Sequence, residues 1–398
     1  MKYSKKRLIN LFSLVYFVSY ITRINFGAII SEMVIDIGIS KGLLSMSLTG
    51  GFITYGLGQI ISGVCGEKYS PYKLISIGLG VTSLMNILIT LTESPYQMCI
   101  IWCVNGFAQA FMWPPLVKIT TSIFTEEEYK NAVVQISWGS SFGVIAIYLL
   151  APLLISIFGW RSVFIFSAMC GIYMIARWTK YFCNVNNDIH TNKTNTMEKE
   201  KLRLFSPVIL AIMLAIIIQG MLRDGVTTWM PSFISETFKI DNKISILTGV
   251  LLPIFSIFSL KVTAKLYQLK CKNPITCAGM VFGGGTFVAL LLFLLANNNI
   301  VLSVVLTALL TGCMHGVNLL LICMIPPFFE RVGKVSTVSG ILNSCTYLGS
   351  AISTYGIAIL SENFGWNVTL EIWFILAAIG TVLCFVTGHR WKMEQTMQ

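Results

Sequence analysis

Charged residues are scarce in this sequence of 398 residues. Only 11% of the residues are Asp, Glu, Lys or Arg, whereas 55% are hydrophobic. Soluble globular domains carry about 25% charged residues, so this chain has too few to cover a water-facing surface of ordinary size. The shortage excludes a soluble cytosolic enzyme, a nucleic-acid-binding protein and a disordered protein.

Residue patterns that mark metal sites and catalytic sites are also missing. The 11 cysteines include no Cys-x-x-Cys pair, and the chain has only 3 histidines. Cys99 and Cys103 share a helix face, but no histidine or second cysteine pair accompanies them. No Ser/His/Asp set and no phosphate-binding glycine loop occurs. We therefore predict no metal, no cofactor and no enzymatic activity, and we interpret the cysteines as small apolar filler.

Long hydrophobic runs are abundant instead. A helix needs about 20 residues to cross a hydrocarbon core of about 30 Å. Runs of that length recur twelve times and predict an all-α membrane protein. Their limits are residues 8–30, 44–66, 74–93, 97–121, 131–156, 161–182, 205–230, 244–264, 275–296, 300–328, 335–359 and 366–388. The first run is too long for a signal-peptide core, so we interpret it as a retained span.

One long hydrophilic stretch, residues 183–204, divides these runs into six and six. It predicts an N-terminal six-helix bundle at residues 1–182, a cytoplasmic linker at 183–204, and a C-terminal six-helix bundle at 205–398. Of the Lys and Arg residues, 22 fall on the side that would hold both termini and the linker, and four fall on the other side. By the positive-inside rule both termini are cytoplasmic.

The two remaining basic residues, Arg23 and Arg223, lie within hydrophobic runs 1 and 7. These runs begin the two halves, so a repeat axis would place the arginines opposite one another near the membrane centre. An arginine at that depth costs at least about 2.5–3.5 kcal/mol. Each one therefore needs an anion.

Asp224 is the one acidic residue that clearly lies at membrane depth. Neighbours on a helix point about 100° apart, so we expect Asp224 not to neutralise Arg223. The pair of arginines then predicts a small anionic ligand, since the planar guanidinium binds two oxygens of phosphate or carboxylate. The alternative is that each arginine is a structural clamp, bonded to helix carbonyls or to Asp224.

The loop after the second run, Gly63-Val-Cys-Gly66-Glu67-Lys68, resembles the G-x3-[DE]-[RK] loop of the major facilitator superfamily. In that superfamily the acid and the base brace helices at the cytoplasmic gate. The resemblance therefore implies gating roles for Gly63, Glu67 and Lys68.

Further motifs are similar to the organophosphate:phosphate antiporter family, which includes glycerol-3-phosphate and hexose-phosphate carriers. They are Tyr20-Ile-Thr-Arg23-Ile-Asn25, Gly106 to Pro115, Leu222-Arg223-Asp-Gly225 and Thr346-Tyr347-Leu-Gly349-Ser350. The resemblance implies that Arg23 and Arg223 bind the substrate phosphate. It also implies that aromatic side chains surround the pocket, namely Tyr16, Tyr20, Trp113 and Tyr347. Ordinary packing is the alternative for each aromatic residue taken alone.

The sequence departs from that family at several polar positions. Gln59 stands where the glycerol-phosphate carriers have lysine, and His315 stands where they have tyrosine. His315 is the one histidine within a hydrophobic run. It can carry a proton or donate to phosphate, or it can form a neutral hydrogen bond between helices.

Together these features predict a secondary active transporter of a small organic anion, working by alternating access. A phosphorylated sugar or glycerol phosphate is the expected cargo, exchanged for inorganic phosphate. Proton- or sodium-coupled uptake of an organic carboxylate is one alternative, and a membrane sensor of a phosphorylated sugar is another. We expect a monomer in a bacterial cytoplasmic membrane, in contact with lipid and not with nucleic acid.

Overall fold

In the computed structural model the described residues form helices, with short turns between many of them. The structure describes residues 5–38, 41–183, 206–240, 248–271, 273–296, 298–330 and 332–396, and these ranges contain no strand. The predicted linker at residues 183–204 lies, apart from Cys183, outside the described residues.

The described residues up to Cys183 form seven α-helices and a short 3-10 helix (Ile89–Leu91). The α-helices are α1 (Lys5–Ile37), α2 (Lys41–Lys68), α3 (Pro71–Leu88), α4 (Pro95–Gln109), α5 (Trp113–Ile123), α6 (Glu126–Phe158) and α7 (Arg161–Cys183). Over the described residues beyond Ser206 follow α8 (Pro207–Phe238), α9 (Leu251–Lys270), α10 (Pro274–Leu295), α11 (Ile300–Asn318) and α12 (Val335–Thr396). A π-helical turn (Leu319–Cys323) and a 3-10 turn (Pro326–Phe329) lie between α11 and α12.

Proline and glycine set several of these boundaries. α3, α8 and α10 each begin at a proline, whose missing N–H would have no partner in a first helical turn. The Trp113-Pro114-Pro115 motif splits the predicted fourth span into α4 and α5, because proline cannot continue a helix. Gly365 has φ +77° and kinks α12 between the predicted spans 335–359 and 366–388.

Ten helices among the described residues are long and apolar enough to cross a membrane. The predicted spans at residues 244–264 and 335–359 are not among them. Part of the first, residues 244–247, lies outside the described residues, and its helix α9 carries three lysines. The second is helical but contains eight Ser and Thr residues, which lower its hydropathy. Twelve spans therefore stay a prediction.

The described residues form two compact units. Unit 1 takes its residues from Met1–Leu202 and from Pro326–Ser344, and unit 2 from Arg203–Ile325 and Cys345–Gln398. The predicted bundles were defined by consecutive spans rather than by contacts, so that division also stays a prediction. In unit 1 a cluster of buried aromatic rings joins α1, α4 and α7, with the ring centroids of Phe26 and Trp102 4.9 Å apart and those of Phe26 and Phe164 5.9 Å apart.

Candidate anion-binding site

Arg23 on α1 lies against two tyrosine rings in unit 1. Its Cζ atom is 4.2 Å from the ring centroid of Tyr20 and 4.7 Å from that of Tyr55. At these distances the negative faces of the rings attract the guanidinium charge. The arginine is half-buried, whereas Tyr55 is only 2% exposed. The rings therefore stabilise a cation within the helix bundle and fix the direction in which it points.

The aromatic cluster continues along α1 to the start of α5. The ring centroid of Tyr16 lies 5.1 Å from that of Tyr20 and 4.9 Å from that of Trp113. Tyr16, Tyr20 and Arg23 are spaced by four and three residues, so they share one face of α1. The four unit 1 residues predicted to bind substrate are thus brought together by the structure.

Tyr55 on α2 was not predicted, although the sequence contained a signal for it. It lies four residues before Gln59, the position at which the glycerol-phosphate carriers have lysine, so the two residues share a helix face. Its buried ring provides the second aromatic surface against Arg23.

Buried amide and hydroxyl groups hold α1 in place beside Arg23. Ser19 Oγ donates to Gln109 Oε1 at 2.7 Å, and Gln109 Nε2 donates to Thr22 Oγ1 at 2.8 Å. Asn25 Nδ2 donates to Asn86 Oδ1 at 2.6 Å. In a low-dielectric interior such paired polar groups fix helix positions strongly. This network therefore sets the rotation and depth of α1, and with them the position of Arg23.

Arg223 on α8 in unit 2 forms a two-pronged ion pair with the next residue. Its Nε donates to Asp224 Oδ1 at 2.6 Å, and its Nη2 donates to Asp224 Oδ2 at 2.8 Å. Ser350 Oγ on α12 donates to the same Oδ2 atom. The expectation that the two side chains point apart was wrong. The 100° spacing applies to the Cβ atoms, whereas the arginine side chain is long enough to fold back onto a carboxylate that Ser350 holds in place.

Close packing of α8 against α12 brings Ser350 within reach. A Cβ atom at Gly349 on α12 would overlap the carbonyl oxygen of Ile217 on α8. Trp229 Nε1 on α8 donates to the carbonyl oxygen of Thr354 on α12 at 3.2 Å. Small residues allow such approach between membrane helices, where packing rather than water expulsion drives association. Ser350 is therefore a site residue that only this packing reveals.

His315 and Tyr347 lie on the two helices that flank Arg223. His315 on α11 is half-buried, and the charges of Arg223 and Asp224 both act on it. Tyr347 on α12 is 7% exposed and lies three residues before Ser350, on the same side of that helix. Three of the predicted site residues are thus on neighbouring helices of unit 2.

Each unit contains a tryptophan bonded to an acid at the end of its first helix. Trp160 Nε1 donates to Asp36 Oδ2 on α1 at 2.7 Å, and Trp366 Nε1 donates to Glu236 Oε2 on α8, also at 2.7 Å. Each tryptophan directly follows a glycine with φ near +76°, so the same corner is built twice.

A second contact repeats in the same register. A Cβ atom at Gly143 on α6 would lie 2.7 Å from the carbonyl oxygen of Phe17 on α1, and Gly349 meets Ile217 in the same way on α12 and α8. On the first helices, residues 17 and 217 are 200 positions apart, and so are the acids at 36 and 236. On their partners, residues 143 and 349 are 206 positions apart, and so are the tryptophans at 160 and 366. Two independent contacts thus give one alignment of the units.

This alignment makes the two arginines equivalent. Arg23 precedes Asp36 by thirteen residues, and Arg223 precedes Glu236 by thirteen. The arginines therefore occupy the same position in the first helix of each unit.

Comparison with known proteins agrees with this architecture. The sequence pattern of the Major Facilitator Superfamily matches residues 12–354. The chain belongs to the Major Facilitator Superfamily. Its fold is also that of the proton:xylose symporter XylE, solved bound to 6-bromo-6-deoxy-D-glucose, with a TM-score of 0.74 over 97% of this chain and 94% of that chain. The identity to XylE is 12%, so that likeness shows the fold alone.

Two relatives within the superfamily are informative. The glycerol-3-phosphate transporter of Bacillus subtilis is 26% identical over 407 aligned residues, which cover 93% of this chain and 90% of that protein. A probable hexose phosphate transport protein of Chlamydia trachomatis is 28% identical over 170 residues, or 42% of this chain. That match spans only 37% of the Chlamydia protein. The predicted family resemblance and the prediction of a multi-pass membrane transporter rather than an enzyme are confirmed at the level of the family.

The loop that resembles the superfamily's gating motif contacts the start of α12 within unit 1. Glu67 Oε1 accepts hydrogen bonds from the backbone N–H of Ser336 at 2.6 Å and of Thr337 at 3.2 Å. The first N–H groups of a helix have no partner inside the helix and carry partial positive charge. The carboxylate of Glu67 therefore caps α12.

The basic partner of Glu67 is Lys118 on α5. Lys118 Nζ lies 2.8 Å from Glu67 Oε2 and donates to the carbonyl oxygen of Gly66, also at 2.8 Å. Lys68, predicted to act with Glu67, is the last residue of α2. The gating roles of Gly63, Glu67 and Lys68 stay predictions.

We expect Glu67→Gln to lower the thermal stability of the purified protein. Glutamine keeps the shape but removes the charge that caps α12 and pairs with Lys118, a loss of about 1–2 kcal/mol. The unfolding midpoint in detergent checks this. Glu126→Gln is the matched control, because Glu126 is 78% exposed and its ion pair is with Lys130 on the same helix. Equal shifts for both variants would contradict a special role for the cap.

No group of three or more His, Cys, Asp or Glu side chains that could hold a metal ion occurs among the residues that the structure describes.

Proposed function

We propose that this protein is a secondary active transporter that moves a small organic anion by alternating access. A phosphorylated metabolite, either a sugar phosphate or glycerol phosphate, is the proposed cargo, with inorganic phosphate as the exchanged anion. The protein is proposed to act as a monomer with twelve spans in two six-helix bundles. Both termini face the cytoplasm of a bacterial cell, as the strong bias of Lys and Arg towards one side supports.

The observation that carries this proposal is the equivalence of Arg23 and Arg223. A repeated structure that keeps an arginine at the same position of both first helices, within apolar spans, retains two costly cations. In unit 1 that arginine lies against the rings of Tyr20 and Tyr55. Guanidinium groups bind phosphate through two parallel hydrogen bonds, so anion binding explains why both are present.

The surrounding side chains suit a phosphorylated organic molecule. Tyr16 and Tyr20 have hydroxyl groups that can donate to phosphate oxygens, and the indole of Trp113 offers an apolar face to the organic part. Tyr347 and His315 are the proposed counterparts in unit 2. The names of the two relatives, a glycerol-3-phosphate transporter and a probable hexose phosphate transport protein, support phosphorylated cargo.

The direct test is counterflow in proteoliposomes that contain the purified protein. Vesicles loaded with inorganic phosphate are expected to take up labelled glycerol 3-phosphate or glucose 6-phosphate much faster than unloaded vesicles. The reason is that exchange avoids the slow return of an empty carrier. Uptake of a dicarboxylate instead, driven by a proton or sodium gradient, would favour the carboxylate symporter. Binding of a sugar phosphate without any flux would identify a membrane sensor.

A further inference from the structure

Asp224 occupies the Nε and Nη2 edge of Arg223, two of the five N–H donors and one of the edges that can bind two oxygens of an anion. Two parallel N–H···O bonds of 2.6 and 2.8 Å join the side chains, and Ser350 binds the second carboxylate oxygen. Only 11% of the Arg223 side chain and 28% of the Asp224 side chain is exposed. An anion that binds this edge of Arg223 must therefore replace a carboxylate that already fits it.

Replacement creates an electrostatic problem within the apolar span. The Arg223–Asp224 pair is neutral, but an anion bound to Arg223 would lie beside a carboxylate that has lost its partner. A buried unpaired charge is expensive, and a nearby like charge favours the neutral form of a carboxyl group. One proton added to Asp224 removes both penalties, because a neutral carboxyl group can remain beside the anion.

We propose that Asp224 takes up one proton from water when the anion binds Arg223, so that anion and proton cross the membrane together. This inference rests on the proposed function. On binding, a proton adds to one carboxylate oxygen of Asp224. The two arginine N–H groups that donated to Asp224 then donate to the anion. On release the proton returns to water and the ion pair re-forms. Exchange of two anions remains possible, since each one travels with its own proton.

The groups around Asp224 fit this role. Ser350 on α12 donates to the ionised carboxylate, and its hydroxyl group can equally accept from a protonated one. Among ionisable groups, Arg223 on the same helix and His315 on α11 act electrostatically on Asp224. On α12 the nearest ionisable position along the chain is Tyr347, one turn before Ser350. Among the residues that the structure describes, His315 is thus the competing proton acceptor to be tested.

The experiment counts the protons bound with the anion. Calorimetric titration of purified wild type and Asp224→Asn with glycerol 3-phosphate and with glucose 6-phosphate is repeated in buffers of different ionisation enthalpy. The wild type is expected to take up about one proton more per bound anion than the variant, and its dissociation constant to rise up to about tenfold per pH unit relative to the variant. Protonation of the phosphate group itself is common to both proteins and cancels in the comparison.

Three further variants decide between the outcomes. Glu93 lies in the turn between α3 and α4 of unit 1 and pairs with Arg161. Glu93→Gln removes this carboxylate and is expected to leave the proton count unchanged. His315→Gln removes a proposed binding side chain, so it is expected to weaken anion binding but to keep the wild-type proton count per bound anion. Equal counts for wild type and Asp224→Asn, or loss of the proton only in His315→Gln, would overturn the proposal. If Asp224→Asn does not fold, Ser350→Ala replaces it, and its proton uptake should persist to higher pH because the ionised carboxylate has lost a donor.

Failure of this inference is distinct from failure of the proposed function. If wild type and Asp224→Asn both bind either phosphate ester with the same proton count, the carrier of phosphorylated anions stands and the proton site is wrong. If neither protein binds either ester, the proposed cargo is wrong, and the proton site falls with it.

Discussion

Replacing Arg23 by lysine is expected to abolish most transport while leaving the protein folded. Lysine keeps the positive charge between Tyr20 and Tyr55, but it cannot donate two parallel hydrogen bonds to one phosphate group. Loss of one charge-assisted hydrogen bond costs about 1.5–3 kcal/mol, which corresponds to a loss of about ten- to a hundredfold in anion affinity. Counterflow of glycerol 3-phosphate in phosphate-loaded proteoliposomes measures the effect.

The matched control is Arg177→Lys. Arg177 also lies over a tyrosine ring, with Cζ 5.8 Å from the centroid of Tyr173, but it is exposed on α7. This variant should transport like wild type. Wild-type counterflow by Arg23→Lys would show that the site needs only a charge at residue 23, and the two-oxygen contact with phosphate would then be excluded.

Gly349→Val is expected to have the largest effect on folding. A Cβ atom at residue 349 would overlap the carbonyl oxygen of Ile217, and a backbone atom cannot move aside as the end of a side chain can. Overpacking of this kind costs about 1–3 kcal/mol or more. We expect a lower unfolding midpoint in detergent and a smaller yield of monodisperse protein.

Gly284→Val provides the comparison, because a Cβ atom at Gly284 on α10 meets no heavy atom within 4 Å. It introduces the same β-branched residue into a helix and should change the midpoint little. If both variants unfold at the same temperature, the contact between α8 and α12 is more adaptable than its geometry indicates. The position of Ser350 beside Asp224 would then not depend on this packing.

Part of the candidate site was predicted from the sequence, and other parts were not. The family resemblance named Tyr16, Tyr20 and Arg23 as site residues, and their helical spacing places them on one face of α1. The pairing of Arg223 with Asp224 was predicted wrongly, because spacing along a helix gives the directions of Cβ atoms and not the reach of an arginine. Lys118 was not connected with Glu67, since 51 residues separate them in the chain and only the packing of α5 beside α2 brings their charges together.

The sequence by itself determined that this protein lies in a membrane and that its structure is helical. Apolar runs of about 20 residues, few charges and a one-sided distribution of Lys and Arg leave a multi-pass helical membrane protein as the physical solution, because these properties depend on local composition. Only the tertiary structure decided which polar groups meet. It pairs Arg223 with Asp224, and it places Ser350 of α12 beside Asp224 and Tyr55 of α2 beside Arg23. Repeated contacts also show that the two arginines occupy equivalent positions. Those outcomes depend on distances between helices far apart in the chain, and no local pattern encodes such distances.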